Sequence, residues 1–314
     1  MNERTEKKEE KKKKWTSGQW NLLIMASLGV VFLLIFCYAP MYGIVLAFKK
    51  GDYVIDIKKA IFESKWVGLD NFKKFLVDPQ FFNVVLNTLW LNLLSLLINF
   101  PAPIIFALFI NEIKGKTFKK TVQTISYFPH FLSWIVFGGI ILNIINPQTG
   151  ILNDLLMNLR LIKQPIDLGR SEYTWGLLIV TALVKGTGWS SVIYLAAIAG
   201  IDPCMYEAAD IDGAGRFSKI FFITLPSILP TIAVFLILSV SNLLNSGFEQ
   251  IYIFQNQINL DKSEVIDTFV YKYGVLNKRY SYTTAIGLVK SIISLILLLL
   301  ANFSSKKITG KGIY

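Results

Sequence analysis

Cysteine and histidine are scarce in this 314-residue sequence, which contains two cysteines and one histidine. Cys37 lies in an apolar run and Cys204 in a polar stretch, so the two thiols offer no disulfide framework. A single histidine, His130, excludes a metal site built from several histidines. We expect His130 to be a polar residue at a helix end or along a pore, and the sequence predicts no metal site in this chain.

The sequence also lacks the common catalytic motifs. It has no GxxxxGK[ST] phosphate loop, no HExxH, no GxSxG and no paired-cysteine zinc spacing. We therefore expect neither ATP hydrolysis nor another catalytic activity from this chain, and no cofactor bound by it. If the protein performs work, the energy must come from a partner.

Charged residues are few as well, at 17% of the sequence against 53% hydrophobic residues. The mean hydropathy of +0.50 is too high for a soluble globular protein and predicts an integral membrane protein. The net charge is +11, but the basic residues lie between apolar runs rather than among aromatic residues of a soluble surface. This distribution favours contact with the membrane surface over contact with nucleic acid.

Apolar runs of roughly 17 to 28 residues suit a bilayer core of about 30 Å and predict six transmembrane helices. We expect a basic cytoplasmic tail at 1–20, a six-span domain at 21–303 and a second cytoplasmic tail at 304–314. Pro101 and Pro103 predict a kink in the second span. The predicted spans are 21–48, 82–109, 125–145, 173–200, 228–244 and 283–303.

The distribution of charge indicates that both termini lie in the cytoplasm. Sixteen lysines and arginines fall in the segments that this orientation places inside and 14 in those outside, and the inside segments are shorter. The basic tail precedes the first span, which usually has most influence on orientation. Segments 51–80 and 247–282 are then external.

Acidic residues are absent from the six spans as drawn, whereas two lysines are present. A proton- or sodium-coupled secondary transporter would be expected to place acids at mid-membrane. Lys185 and Lys290 are candidates for function because an ionisable residue in a membrane is costly. Equally, Lys290 can pack inside the bundle or reach the interface, and Lys185 can lie in a helix loosened by Gly186 and Gly188.

Amide and aromatic side chains recur within the spans. A ring can stack on the apolar face of a sugar while amides bond its hydroxyls, so this composition favours a neutral polar solute over an ion. Trp and Tyr are also enriched at membrane interfaces for reasons unrelated to a ligand. The residues that we predict along a solute path are Asn87, Trp90, Trp134, Trp189, Tyr194, Asn242 and Asn245. Further amides in the spans are Asn92, Asn99 and Asn143.

A polar stretch between the fourth and fifth spans, 207–226, reads EAADIDGAGRFSKIFFITLP. Its first residues are compatible with a short helix, and Gly213 follows two nearby aspartates where a sharply turning chain can take a positive φ. Small alanines would let the groove of another protein approach closely. Glu207 and Arg216 could pair with charges across such a contact.

This stretch resembles the cytoplasmic EAA loop in the membrane subunits of binding-protein-dependent ABC importers. In that family Glu-Ala-Ala is followed after three residues by Gly and after nine more by Ile-x-Leu-Pro. An aspartate before the Gly and an alanine after it form a variant common among sugar importers. The matching positions are Glu207, Ala208, Ala209, Asp212, Gly213, Ala214, Ile223, Leu225 and Pro226.

The resemblance implies an all-α integral membrane protein with the six transmembrane helices of the MetI-like importer permeases, N-in and C-in. It implies that loop 201–227 docks on an ATPase, and that two cytoplasmic ATPase subunits carry ATP and Mg. A second homologous permease would complete the translocation path. An external or lipoprotein binding protein would deliver an oligosaccharide, as in the maltose-type branch, at the bacterial cell membrane.

Two other functional classes stay open from the residues alone. One is the secondary transporter, which the lack of acidic residues in the spans disfavours. The other is a membrane enzyme that acts on lipid-linked sugars, which would need acidic residues at the outer ends of spans. Glu172 and Glu249 are candidates for that role, but they belong to no paired motif. Co-purification with an ATPase would distinguish an importer subunit from both.

Overall fold

The computed structural model describes residues 16–54 and 56–309, and helices dominate these ranges. In the described residues the only extended pairing is an isolated antiparallel bridge between Lys49 and Trp66. The helices are α1 Ser17–Leu33, α2 Ala39–Met41, α3 Ile57–Phe62, α4 Asp70–Leu76, α5 Phe81–Asn99, α6 Pro101–Glu112, α7 Lys116–Phe131, α8 Trp134–Ile144, α9 Ile151–Asn158, α10 Ser171–Ala199, α11 Pro203–Ile211, α12 Arg216–Lys219, α13 Leu225–Ser241, α14 Phe248–Phe254, α15 Leu260–Ser263, α16 Ile266–Val270 and α17 Tyr280–Thr309. Shorter π- and 3₁₀-helical turns are Leu34–Tyr38, Tyr42–Phe48, Ile220–Thr224 and Tyr271–Leu276.

Five helical stretches of the described chain are long and apolar enough to cross a membrane. The bent pair α7 and α8 makes a sixth if it is counted as one span. The five stretches are Ser17–Phe48, Phe81–Glu112, Ser171–Ala199, Arg216–Ser241 and Tyr280–Ser304. The predicted all-helical membrane fold is therefore confirmed.

The segment predicted as the third span, 125–145, is bent. Helices α7 and α8 meet there at 103°. Leu132 is extended, with ψ of 141°, and Ser133 starts the new helix by accepting a hydrogen bond from the Val136 amide at 3.3 Å. A serine cap inside an apolar run ends one helix and begins another, so the region of the predicted third span consists of two helices joined at a bend.

The second span has a break next to the prolines from which a kink was predicted, and one boundary of the fifth span differs from the expected one. The second span is interrupted at Phe100, and α6 begins with Pro101, where the missing amide proton of proline is tolerated. The helix that contains the fifth span begins at Arg216 rather than at residue 228, through the π-helical turn Ile220–Thr224. Part of the expected loop 201–227 is therefore helical and continuous with the span.

Helix α1 stands apart from the packed bundle, since none of its residues is buried. The chain first packs against the rest of the protein in the turn Tyr42–Phe48, where Leu46 and Ala47 are buried. That turn contacts α17 and α4. The apolar surface of α1 is consequently available to lipid or to another subunit.

Two long segments pack together at one end of the bundle, and we call them the cap: residues 49–54 and 56–80, and residues 247–279. A core of aromatic side chains around Phe75, Phe269 and Tyr282 joins them. The Gly51 amide donates to Ser281 Oγ at 2.8 Å, and the Tyr282 hydroxyl donates to Asp78 at 2.8 Å. Segments that lie far apart in the sequence thus pack into one layer at this end of the spans, held by an aromatic core and by hydrogen bonds around it.

The opposite end of the bundle carries the polar loop between α10 and α13. A separate apolar core lies beneath it and includes Ile104, Ala107, Tyr194, Ile198 and Ile228. Because these residues come from α6, α10 and α13, the core ties the loop to three helices.

Candidate functional site: an exposed loop and a polar cavity

The loop is built around helix α11. Asp202 caps the start of this helix, since its carboxylate accepts a hydrogen bond from the Cys204 backbone amide at 2.9 Å. The helix ends at Asp212, and Gly213 takes φ of +74°. The Ala214 amide then donates to the Ala209 carbonyl at 2.8 Å, which closes the turn. Gly213 therefore has the left-handed conformation that its position in the sequence suggested.

The predicted docking residues are arranged on both sides of this turn. Glu207, Ala208, Asp212, Gly213 and Pro226 are exposed, and Ala209, Ala214, Ile223 and Leu225 are partly buried. The Tyr206 hydroxyl is hydrogen-bonded to Thr224 Oγ1 at 2.9 Å, and Lys219 forms an ion pair with Asp210 at 2.5 Å. These contacts fix α11 against the start of the next helix.

Sequence reasoning missed two apolar side chains on the same lobe. Ile211 is 87% exposed and Phe217 is 73% exposed, one on each side of the Gly213 turn. Large apolar side chains exposed this far on a polar loop are typical of a surface that another protein covers. Ile211 lies in the three-residue spacer before Gly213, and Phe217 lies in the nine-residue spacer after it. Large apolar residues at these positions were the sequence signal that could have identified this surface.

A polar cavity of about 380 Å³ lies between α5, α6, α10 and α13. A volume of this size is within the range of small-ligand sites. Its lining contains no charged side chain. The polar lining residues are Asn92, Ser95, Asn99, Ser190, Tyr194, Ser239, Asn242 and Asn245.

Three of the seven predicted path residues line this cavity: Tyr194, Asn242 and Asn245. Asn245 Nδ2 donates to Asn242 Oδ1 at 2.9 Å, and Asn242 Nδ2 donates to the Leu238 carbonyl at 3.0 Å. Tyr194 packs edge-on against Phe235 with 6.1 Å between ring centres. Tyr194 also belongs to the core beneath the loop, so one residue contacts both the cavity and that core.

The other four predicted path residues lie outside the cavity lining. Asn87 is buried and donates to the carbonyls of Asp261 and Glu264 at 2.8 and 3.1 Å, so it holds the cap. Trp90 is 49% exposed. Trp134 packs in the core near α14, and Trp189 stacks on His130 at 4.8 Å between ring centres.

One face of α5 supplies polar lining residues that were not singled out for the path. Asn92, Ser95 and Asn99 follow each other at helical spacing, and Asn99 Nδ2 donates to Ser95 Oγ at 2.9 Å. Asn99 Oδ1 is buried without a hydrogen-bond partner. An unsatisfied amide oxygen beside a cavity can accept a hydrogen bond from a ligand hydroxyl. The polar spacing along α5 would have identified this face.

A second, smaller cavity of about 30 Å³ shares Asn92 and Ser95 with the first and lies towards the cap. Ser246 and Gln250, at the start of α14, line its far side. Gln250 Nε2 donates to the Leu178 carbonyl at 2.6 Å and to Thr181 Oγ1 at 2.9 Å. Segment 246–250, which includes the first residues of the cap, thus lies between the polar cavity and the rest of the cap.

Lys185, flagged in the sequence as costly, caps the bend between α7 and α8. Its ammonium donates to the carbonyls of Pro129, His130 and Leu132 at 3.1, 3.0 and 2.5 Å. The ammonium also lies 5.2 Å from the centre of the Trp134 ring. A lysine at the carbonyl end of a helix satisfies groups that have no partner within that helix. Helix α10 is continuous there.

Within the described residues there is no group of three or more His, Cys, Asp or Glu side chains that could hold a metal ion. The polar groups around the cavity are amides and hydroxyls, which are suited to hydrogen bonding with an uncharged, hydroxyl-rich ligand.

Comparison with known proteins gives relatives along almost the full length. Protein LplB of Bacillus subtilis (strain 168) is 40% identical over 296 residues, covering 94% of this chain and 91% of the relative. The polygalacturonan/rhamnogalacturonan transport system permease protein YteP of the same organism is 41% identical over 293 residues, covering 93% and 90%.

The fold also matches solved structures. A bacterial ABC transporter involved in the import of the acidic polysaccharide alginate contains a chain that superposes with a TM-score of 0.84 at 37% identity. The match covers 93% of this chain and 97% of that one. The alginate transporter in complex with its periplasmic protein bound to an alginate pentasaccharide gives the same TM-score of 0.84 at 36% identity, covering 94% and 97%.

A family model matches residues 99–310, which include the loop, most of the cavity and the last three long helices. With this match and the two near-full-length relatives, the chain belongs to the family of inner membrane components of binding-protein-dependent transport systems, and it is a multi-pass protein of the cell membrane.

Proposed function

We propose that this chain is a permease subunit of an ATP-driven importer and that it forms, with a second homologous permease, the translocation path of an oligosaccharide. The observation that carries the proposal is the cavity between α5, α6, α10 and α13, whose polar lining is amide and hydroxyl. Such groups exchange hydrogen bonds with sugar hydroxyls.

The relatives support a saccharide solute. YteP is named as a permease for polygalacturonan and rhamnogalacturonan, and another relative, AraP of Bacillus subtilis (strain 168), as a permease for arabinooligosaccharides. The structural match is to an importer of another saccharide, the acidic polysaccharide alginate. The relatives therefore support a saccharide solute, whereas the expectation of an uncharged one rests on the lining of the cavity. We therefore expect an oligosaccharide fragment of a polysaccharide rather than an amino acid or an ion.

A binding protein on the outer side of the membrane is expected to deliver the solute. The matching alginate transporter was solved with its ligand-loaded periplasmic protein. In the orientation predicted from charge, the cap is the external end of this chain. The cap is therefore the surface that we assign to the binding protein.

At the cytoplasmic end, we expect loop 201–227 to dock on an ATPase subunit. Exposed Glu207 and Ala208 would enter its groove, and the apolar side chains of Ile211 and Phe217 would be covered by the contact. ATP and Mg would be bound by two such ATPase subunits. This chain would then hydrolyse nothing itself.

The core beneath the loop offers a route by which docking and the cavity influence each other. Leu225 of the loop packs on this core, and Tyr194 belongs to the core while also lining the cavity. When the ATPases close, they would carry the docked loops together and rock the helices, so that the path opens to the other side. The coupling would pass through packed side chains.

Two substitutions in the loop test the proposal. Glu207→Lys places a cation in the contact and should cost about 2–5 kcal/mol of docking energy if the pair is desolvated. Gly213→Val forces a β-branched residue into φ of +74°, at a strain of roughly 1–3 kcal/mol. Both variants should insert normally but lose solute uptake, solute-stimulated ATP hydrolysis and co-purification of the ATPase.

Gly215→Val is the matched control, because Gly215 lies two residues further on with φ of −70° and an added Cβ meets nothing within 4 Å. It should retain uptake and the ATPase. Normal uptake by Glu207→Lys and Gly213→Val, with the ATPase retained, would remove the support for a docking loop.

A further inference from the structure

A chain of polar contacts runs from the last span to the wall of the polar cavity. Lys290 of α17 forms an ion pair with Asp267 of α16. The other oxygen of Asp267 accepts a hydrogen bond from the Ser246 amide at 3.0 Å. Ser246 Oγ in turn accepts a hydrogen bond from Asn92 Nδ2 at 2.7 Å, and Asn92 lines both cavities.

These contacts fasten segment 246–250 at three points. Asn92 holds it to α5, and Gln250 holds it to α10 through Leu178 and Thr181. Asp267 and Lys290 hold it to α17. The second residue of the segment, Gly247, has the αL conformation with φ of +65°, and the chain turns there into α14.

Of these contacts, the ion pair is the one whose loss should most affect the position of segment 246–250. The side chains of Lys290 and Asp267 are only 14% and 23% exposed. A charge in this partly dehydrated position is costly without its partner, so the two side chains strongly favour remaining together. The carboxylate that pairs with Lys290 is also the acceptor of the Ser246 amide, so the position of Ser246 depends on where this ion pair holds Asp267.

We propose that Asp267 and Lys290 are positioning residues that hold segment 246–250 across the outer end of the polar cavity, so that solute reaches Asn92 and Ser95 only when this segment is released. The inference rests on the proposed function for the direction of entry and the nature of the solute. It adds the contact that keeps the path closed from outside.

A cysteine below the segment reports its release. Ser95 lines both cavities, so Ser95→Cys is introduced into a chain whose Cys37 and Cys204 are replaced, and it is expressed with the partner subunits. An impermeant thiol reagent is added to intact cells. We expect slow labelling in this parent and labelling about fivefold faster or more after Lys290→Met.

Two further variants keep the result interpretable. The double variant Asp267→Ala with Lys290→Met removes both charges and the acceptor of the Ser246 amide. It leaves no unpaired charge that could prevent folding. Its Ser95→Cys side chain should be labelled as fast as in Lys290→Met. Lys290→Arg keeps the charge and its donors and should label within about twofold of the parent.

Lys272→Met is the matched control. It removes another ion pair of the cap, Lys272 to Glu264 at 2.5 Å, whose members are not bonded to Ser246. It should leave the labelling of Ser95→Cys unchanged. Equal rates in the parent, Lys290→Met and the double variant would overturn the proposed closure, and so would an acceleration by Lys272→Met as large as that by Lys290→Met.

The orientation is checked separately with Asp261→Cys, which lies on the exposed surface of the cap. Labelling of this position on intact cells together with unchanged rates at Ser95→Cys contradicts the closure alone. Absence of labelling at Asp261→Cys contradicts the proposed orientation. In that case the labelling rates of Ser95→Cys are compared between the parent and Lys290→Met in inside-out vesicles. Equal rates there overturn the closure, and faster labelling of Lys290→Met supports it.

Discussion

Gly188 of α10 lies directly against the backbone of Ser126 in α7: a Cβ atom added to Gly188 would stand 2.1 Å from the Ser126 carbonyl oxygen. Two helices that come this close leave no space for a side chain between them. The contact lies one helical turn from Lys185, which caps the carbonyl end of α7. The close approach and the lysine cap together fix the first half of the bent span.

We expect Gly188→Ala to destabilise the protein by about 1–3 kcal/mol, since the added methyl group must push backbone aside. Thermal unfolding of the purified protein, and the amount that accumulates in the membrane, measure the effect. Gly186→Ala is the matched control, because an added Cβ at Gly186 meets nothing within 4 Å. Equal stability of the two variants would show that the helices do not approach closely at Gly188.

Asn99→Leu should weaken the interaction with solute while leaving the fold intact. The buried Asn99 Oδ1 has no partner in the protein, and its hydrogen bond with a solute hydroxyl would be worth about 0.5–1.5 kcal/mol. The solute concentration for half-maximal uptake should therefore rise by roughly twofold to thirteenfold, with maximal uptake less affected.

Asn143→Leu provides the comparison, because Asn143 is an exposed amide of α8 outside the cavity lining. Its half-maximal concentration should stay at the wild-type value. If Asn99→Leu also shows wild-type half-saturation, the cavity between α5 and α13 is not where the solute binds.

The predicted orientation can be tested by chemical labelling of single cysteines in a chain without Cys37 and Cys204. Cysteine at Asp56 or at Asp261, both in the cap and exposed, should react with an impermeant thiol reagent on intact cells. Cysteine at Lys116, at the start of α7 near the opposite end, should react only after the membrane is opened. The reverse pattern would place both termini outside.

The sequence was sufficient to predict the class of fold, because long apolar runs and bilayer thickness leave few alternatives. It could also locate the loop turn, since Gly213 follows the end of a short helix. The bend after Phe131 was not predictable in the same way. Its stability depends on the Lys185 ammonium, which comes from 53 residues further along the chain.

The cavity was only partly predictable for a related reason. The sequence shows that the amide residues of α5 recur at helical spacing and therefore share one face. It does not show which side chains an aromatic residue will pack against. Trp189 stacks on His130 and Trp134 lies beside Lys185, so both are used in packing around the bend. Lys290 was flagged correctly as unusual, but its partner Asp267 lies in a segment that was drawn outside the spans.

The exposed first helix has a consequence for how the chain is made in the cell. Since no residue of α1 is buried, this helix can enter the bilayer during translation without waiting for any later part of the protein. The cap is the opposite case, because the Gly51 amide bonds Ser281, 230 residues later. The cap therefore closes only after the ribosome has reached the start of the last span. Until then residues 49–54 and 56–80 lack this partner and are open to proteases and chaperones on that side of the membrane.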